Sequence, residues 1–268
     1  MATVVAIANQ KGGVAKTTST FNLAHALVEQ GQRVLCIDAD PQASLTEYFG
    51  YDPVDLGARR QSLYFGLVGD EPAPLAGLVV GENPALIPAD ITLAQAEADL
   101  RALPAVPPQT VLREQLRELR DRFDFILVDC QPSLGILPVN ALAAADMVLV
   151  PVEPTKLATA SLPDFFAILR SVRRHLNAEI KVLGILPTRY DSRKKHHNEQ
   201  LPQIRTFGAR HRVPVLDPVR FTTMFDKASG EGKPVSAMGS GSTAVESYRR
   251  LAARLVGRAD DLPRTTCG

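Results

Sequence analysis

Short apolar runs alternate along this chain with stretches whose apolar residues recur every three or four positions. The runs at residues 3–8 (TVVAIA), 33–37 (RVLCI), 125–129 (FILVD), 147–152, 181–186 and 213–216 read as buried strands of a parallel sheet. Helical spacing takes over between them. From Lys16 onward, Phe21, Leu23, Ala24, Leu27 and Val28 mark one helix up to Gly31, and further helices are expected at 111–123, 138–145, 158–176, 198–211 and 243–256. Such alternation implies an α/β fold, a mostly parallel twisted sheet with helices on both faces. Residues 52–108, rich in Pro and Gly, break the rhythm and are expected to form irregular loops and short helices. Within them, 97–103 reads either as a helical surface for a partner or as a plain connector.

Composition narrows the class. With 268 residues, 45% hydrophobic and 22% charged, the chain suits one domain over 1–257 with a flexible tail at 258–268. No apolar stretch reaches about 18 residues and the N-terminus runs straight into a strand, so neither a membrane span nor a signal peptide is expected, and the location is cytoplasmic. Cys36, Cys130 and Cys267 form no CxxC pair and no ligand-spaced cluster, which disfavours zinc and iron–sulfur roles. Cys36 reads as a small core residue and Cys267 as part of a frayed tail.

Candidate chemistry gathers at strand ends. Residues 9–18 (NQKGGVAKTT) place a Gly-rich turn between the first strand and the first helix, so that backbone N–H groups and the helix N-terminus converge on one anion site. In that arrangement Gly12, Gly13, Val14, Ala15 and Thr18 form the cradle, Lys16 reaches the β- and γ-phosphates of a nucleotide, and the Thr17 hydroxyl ligates Mg²⁺. A strict G-x-x-x-x-G-K-[ST] search misses the loop, because Gln10 and Ala15 hold both outer glycine positions. If residue 15 needs a positive φ, its Cβ costs on the order of 1 kcal/mol. A second group, Asp38-Ala39-Asp40-Pro41-Gln42, delivers two carboxylates to the sheet edge, and Asp129 ends the run 125–129 where a Mg²⁺-holding aspartate belongs. Each Asp alone reads equally as a cap or turn residue; three ordered sites in one chain favour the nucleotide reading.

KGGVAKTT, DADPQ and VDCQPSLGILPVNALAAADMVLVPVEP resemble the ParA/Soj/MinD group of deviant P-loop (deviant Walker A) ATPases, and specifically the ParA-type partition ATPases. The resemblance runs from Thr3 to about Leu255. Two departures stand out: Ala15 replaces a usual glycine, and Gln131 replaces the first proline of the family's DxPPS; both are expected to tune turnover. The resemblance implies ATP and Mg²⁺ as cofactors and a homodimer when ATP is bound, with Lys11 reaching the partner's nucleotide. A lysine there would offset charge on the transferring phosphoryl group, as an arginine finger does; without the other motifs it would be a solvated turn residue. Asp40 matches the residue that positions the attacking water, Asp38 supports the Mg²⁺ region, and Asp129 completes the metal shell.

Net charge is +1, which argues against a uniformly basic nucleic-acid binder and leaves local clusters. Arg189, Arg193, Lys194 and Lys195 lie within seven residues, Arg205, Arg210 and Arg212 follow, and Arg220, Arg249 and Arg250 add more. The resemblance implies non-specific binding of double-stranded DNA, with Arg193 and Arg220 the best positional matches; a solvated charged surface is the plainer alternative. His196 and His197 have no partner evident in the sequence, and no metal role is expected for them. The resulting expectation is a DNA partition ATPase, nucleoid-associated, released from DNA by a ParB-like centromere-binding protein. Three others are weighed against it: the same mechanism with another cargo (carboxysome or chemosensory cluster), a MinD-like division-site ATPase, whose membrane anchor residues 258–268 do not resemble, and a metabolic or electron-transfer relative, which the cysteines and DADPQ disfavour.

Overall fold

The computed structural model describes residues 1–68, 71–102, 107–238 and 243–257. The chain runs β1 (Thr3–Ile7), α1 (Lys16–Val28), β2 (Val34–Ala39), α2 (Ser44–Tyr48), α3 (Pro53–Ala58), α4 (Leu63–Leu67), β3 (Ala85–Ile87), α5 (Ala96–Ala102), α6 (Val111–Gln115) and β4 (Phe125–Cys130). It continues with α7 (Ile136–Ala144), β5 (Met147–Val152), α8 (Lys156–Ala160), α9 (Leu162–His175), β6 (Lys181–Pro187), α10 (Lys195–His211), α11 (Met224–Gly230) and α12 (Thr243–Gly257). Six strands form one sheet in the order β3-β2-β4-β1-β5-β6, and every neighbouring pair is parallel.

Strand alternation sorts the core into two layers. Val4 and Ala6 of β1 join Leu35, Ile37, Ile126 and Val128 on one face, under α7 and α9 with Leu142, Phe165 and Phe166. Val5 and Ile7 point the other way, joining Cys36 and Leu127 under α1 and α12 with Phe21, Leu23, Tyr248 and Leu251. Burial on both faces is what makes these strands read as continuous apolar runs. Because all six strands run in one direction, the turns after β1, β2, β4, β5 and β6 share one edge, where open α/β sheets bind ligands.

Four expectations change. Residues 213–216 make no strand, only a bridge from Val215 to Ile185. The helix expected at 111–123 ends at Gln115 and passes into turns, and that at 158–176 breaks at Ser161, where Pro163 in the first turn of α9 has no N–H to continue the hydrogen bonding of α8. Within 52–108, β3 adds a sixth strand, which pairs Leu35, Cys36 and Ile37 with Ala85, Leu86 and Ile87. Residues 258–268, including Cys267, lie outside the described residues. Among those described, no helix is long and apolar enough to cross a membrane.

Candidate nucleotide site

The turn after β1 is held open by its own side chains. Asn9 donates through Nδ2 to the Pro151 carbonyl at the end of β5 (2.7 Å) and accepts the Lys11 N–H on Oδ1 (3.0 Å). Gly13 has φ 74° and Ala15 φ 61°, so the loop enters α1 through two left-handed residues, one of them not glycine. The strain foreseen at Ala15 is therefore present. Ala15 is also the N-cap of α1 and offers no side-chain cap, which leaves first-turn N–H groups available to an anion. Gly12 and Gly13 are exposed at the tip, with the Pro132 ring beside Gly12. Lys16 is buried and donates Nζ to the Lys11 carbonyl at 3.0 Å, folding back across the loop it closes. Burial lowers its pKa; the charges of Asp129, Cys130 and Asp40 pull the other way.

The acids stand beneath this loop. Asp38 and Asp129 are register partners on β2 and β4, and both are fully buried. Burial pushes Asp38 up to about 7 against three hydrogen bonds that favour its charged form: the Thr46 N–H and hydroxyl (both 2.8 Å) and the Asp40 N–H (3.2 Å). Burial, then the neighbouring Asp38 charge, pushes Asp129 up to about 8; the Thr17 hydroxyl (2.6 Å) and the Lys16 charge oppose this. Thr20, one turn along α1, also reaches Asp129 at 3.3 Å. Two carboxylates side by side without water are costly unless a cation compensates them. Oxygen donors from Thr17 and Asp129 are the hard ligands Mg²⁺ prefers, so the donor set fits that ion. Asp38, with both oxygens already taken by Thr46 and Asp40, is better placed to support the metal region than to ligate directly. Asp40 is only partly buried, its Oδ1 accepting the Gln42 N–H at 3.0 Å.

Gln131 gains a partner that a proline could not have: its Nε2 donates to Glu97 on α5 at 2.9 Å. Thr188, at the end of β6, donates to the Val14 carbonyl at 2.9 Å and so joins the loop after β6 to the phosphate loop. Beside Ala15 and Thr18 a pocket opens between Thr188, Val219, Phe221, Phe225 and Tyr248. The sequence pattern missed Asn9, Thr20, Thr46 and Thr188. Only Thr20, one helical turn from Lys16, carried a spacing signal; Asn9 sits in the loop itself and Thr46 on α2, but their partners, Pro151 and Asp38, are fixed by folding, and Thr188 comes from the far end of β6.

The basic residues divide into two groups. A backbone bridge between Tyr190 and Arg220 brings the loops 188–195 and 217–222 together, and the Phe221 ring carries the Arg189 guanidinium at 5.7 Å and the Lys194 ammonium at 5.8 Å. Arg193 is exposed and paired to Asp191 (2.9 Å), which pulls that carboxyl down to about 2. Lys195 faces Glu199 at 3.9 Å. Arg249 and Arg250 lie apart on α12, paired with Glu29 (2.8 Å) and with Asp217 (3.1 Å) and Glu246 (3.3 Å).

A parallel sheet with a Gly-rich strand-to-helix turn, a lysine folded over it and paired buried acids behind a threonine defines the class: a P-loop nucleotide-binding protein. Residues 2–182 match the model of a family described as an AAA domain. The chain is 33% identical over 253 residues to the sporulation initiation inhibitor protein Soj of Bacillus subtilis, covering 94% of this chain and 97% of that one. It is 36% identical over 262 residues to the chromosome-partitioning ATPase Soj of Thermus thermophilus, covering 96% of each. A crystal structure named cobyrinic acid a,c-diamide synthase, from Mycobacterium smegmatis with bound ATP analogue and magnesium, superposes with TM-score 0.81 at 35% identity, covering 99% of this chain and 100% of that one. The chain belongs to the ParA/Soj-type partition ATPases.

Proposed function

We propose that this protein is an ATP-switched partition ATPase, built as one ATPase domain over 1–257, which dimerises around ATP, binds DNA without sequence preference and releases it on partner-stimulated hydrolysis. The observation that carries this reading is the joint between its two halves: Thr188, hydrogen-bonded to the phosphate loop at Val14, is followed directly by Arg189 and the basic loop. A change in the phosphate loop is thereby a change in the DNA-facing segment.

ATP and Mg²⁺ are the cofactors. When bound, ATP would supply a transferable phosphoryl group and Mg²⁺ a positive charge that offsets the charge on the phosphates. Lys16 leaves the Lys11 carbonyl for the β- and γ-phosphates, loop N–H groups and the α1 N-terminus bind the same oxygens, and Thr17 with Asp129 holds the ion. Asp40 orients the attacking water from its half-exposed position, while Lys11 serves the partner subunit's nucleotide. The aromatic pocket beside Ala15 and Thr18 receives the base. Arg189, Arg193, Lys194, Lys195 and Arg220 meet backbone phosphates; surface ion pairs such as Arg193–Asp191 are weak enough for phosphate to displace. Arg249 and Arg250, which lie apart from this cluster on α12, contribute less. The stimulating partner is a ParB-like protein and the setting is the cytoplasmic nucleoid; the same machine with another cargo is the second reading, since cargo is selected by the partner and not by the ATP site.

The test is a duplex-DNA pull-down at several salt concentrations with ATP, ADP and no nucleotide. Retention with ATP alone, falling steeply with salt, is expected. Equal retention in all three conditions would overturn the switch. The same experiment separates the amide-forming chemistry in the name of the Mycobacterium smegmatis structure, which gives a protein no reason to load onto DNA.

A further inference from the structure

Behind the basic loop lies a histidine whose ring is only half used. His197, in the first turn of α10, is completely buried. Its Nδ1 accepts the Asp191 N–H at 3.0 Å, which fixes the neutral tautomer with the proton on Nε2. Burial, together with the His196 and Lys194 charges, holds the imidazole below its ordinary range, against the pull of Glu153 and Asp191. The Nε2–H has no hydrogen-bond partner among the described residues. The Glu153 carboxylate lies 3.8 Å away, just outside hydrogen-bond distance. A buried donor left unmade is costly, and its persistence calls for an explanation.

Position supplies one. Glu153 directly follows β5, whose Pro151 carbonyl is gripped by Asn9 of the phosphate loop. On its other side the imidazole carries the basic loop, because the Asp191 N–H rests on Nδ1 and the Asp191 carboxylate grips Arg193 through Nε and a terminal nitrogen (3.0 and 2.9 Å). The Tyr190 ring stacks on His197 with centroids 6.2 Å apart and planes 24° apart. The Tyr190 carbonyl accepts the Phe221 N–H, beside Arg220. One ring therefore touches the segment behind the phosphate loop and the segment that sets Arg193 and Arg220.

We propose that His197 is the positioning residue that ties the basic loop to the nucleotide edge: its Nε2–H closes onto Glu153 in the ATP-bound protein, and the closure holds Arg193 and Arg220 in register for phosphates of one DNA backbone. This rests on the ATP-gated DNA binding proposed above.

The experiment measures duplex-DNA affinity of the full-length protein with a non-hydrolysable ATP analogue and without nucleotide. Glu153→Ala, at a partly exposed position, keeps the wild-type unfolding temperature and analogue affinity, while its ATP-state DNA affinity falls about tenfold and its nucleotide-free affinity is unchanged. His197→Asn retains an acceptor for the Asp191 N–H but cannot reach Glu153, so it shows the same loss, and the double variant is no worse than either single one. In ¹⁵N-labelled protein the His197 Nε2–H signal becomes protected on adding the analogue, and Glu153→Ala abolishes that protection. Should His197→Asn fail to fold, Glu153→Ala and the Nε2–H signal decide. A wild-type ratio of ATP-state to nucleotide-free affinity in the variants, or losses that add in the double variant, would overturn the tie. Absence of any ATP-dependent gain in the wild-type protein overturns the reading beneath it, a result visible without the variants.

Discussion

The nucleotide edge and the basic face are built from adjacent turns of one sheet but by opposite means. At the nucleotide edge, Lys16, Asp38 and Asp129 are buried, each is held by hydrogen bonds, and each comes from a segment whose local order alone places it. At the basic face, Arg189, Arg193, Lys194 and Arg220 are exposed and are collected by a single backbone bridge and one aromatic ring. A site that must stabilise a triphosphate needs fixed dipoles in a dry environment. A site that grips DNA of any sequence needs exposed positive charge set to the phosphate backbone and no contacts to base edges. The difference teaches that here precision is concentrated on the nucleotide edge, and the basic face is the part whose role in DNA binding, proposed above, the following experiments test.

The largest test of this contrast is Lys16→Ala. Removing the buried ammonium should lower ATP affinity by about 100-fold or more, as loss of a charge-assisted contact to phosphate would, and should abolish ATP-dependent DNA retention; labelled-nucleotide titration checks it. Retained DNA binding would detach the two regions from one another.

The acid response sharpens the comparison, because it is expected from packing behind the nucleotide edge. His25 of α1 meets Phe21 edge-on at 4.7 Å and Phe49 at 6.3 Å, and burial pushes it down to about 4, against the pull of Glu29. The unfolded chain takes up that proton near 6.5, so between pH 6.5 and 4 this site binds more protons unfolded than folded, and its contribution to stability falls as pH falls. Raised Asp38 and Asp129 give the opposite slope in the same window, so the check is the difference between proteins: in denaturant melts the wild type should lose on the order of 2–3 kcal/mol relative to His25→Gln as pH falls from 6.5 to 4. An unchanged pH slope in that variant would move the titration elsewhere.

Smaller effects are expected on the exposed side. Arg193→Ala and Arg220→Ala should each weaken DNA binding by about tenfold and reduce the salt slope by about one, while ATP affinity stays at the wild-type value. If both variants bind DNA like the wild type, the cluster is misassigned. Smallest is Ala15→Gly: relief of the left-handed Cβ strain, partly offset by a looser unfolded chain, should change stability by less than about 1 kcal/mol in the stabilising direction. Ala15→Val should be clearly destabilising, and thermal melts of the pair would show whether the loop tolerates only the smallest side chain.

Much of the nucleotide edge was legible beforehand because its elements are local. A strand, a Gly-rich turn and a helix within some 25 residues specify their own geometry, and the runs ending at Asp38 and Asp129 could only deliver those acids to a sheet edge. Legibility fell where contacts crossed the chain. Val213 to Leu216 has a strand's composition yet makes only one bridge: Pro214 has no N–H to donate, and the pairing stops at the Ile185 N–H on the Pro214 carbonyl and the Leu216 N–H on the Ile185 carbonyl. Ala85 to Ile87 hid in a Pro- and Gly-rich stretch because three residues are too few to show a period.

The sequence by itself determined the sheet's parallel character, the phosphate-binding turn and the identity of its acids, because periodicity and short-range turn chemistry act on neighbouring residues. Only the tertiary structure decided that Asp38 and Asp129 share one buried register, that Thr46 and Thr188 complete the edge, and that His197 lies between Glu153 and Asp191. Those outcomes depend on which strands become neighbours and how deeply they are covered, and burial and strand order are properties of the whole packed chain rather than of any segment of it.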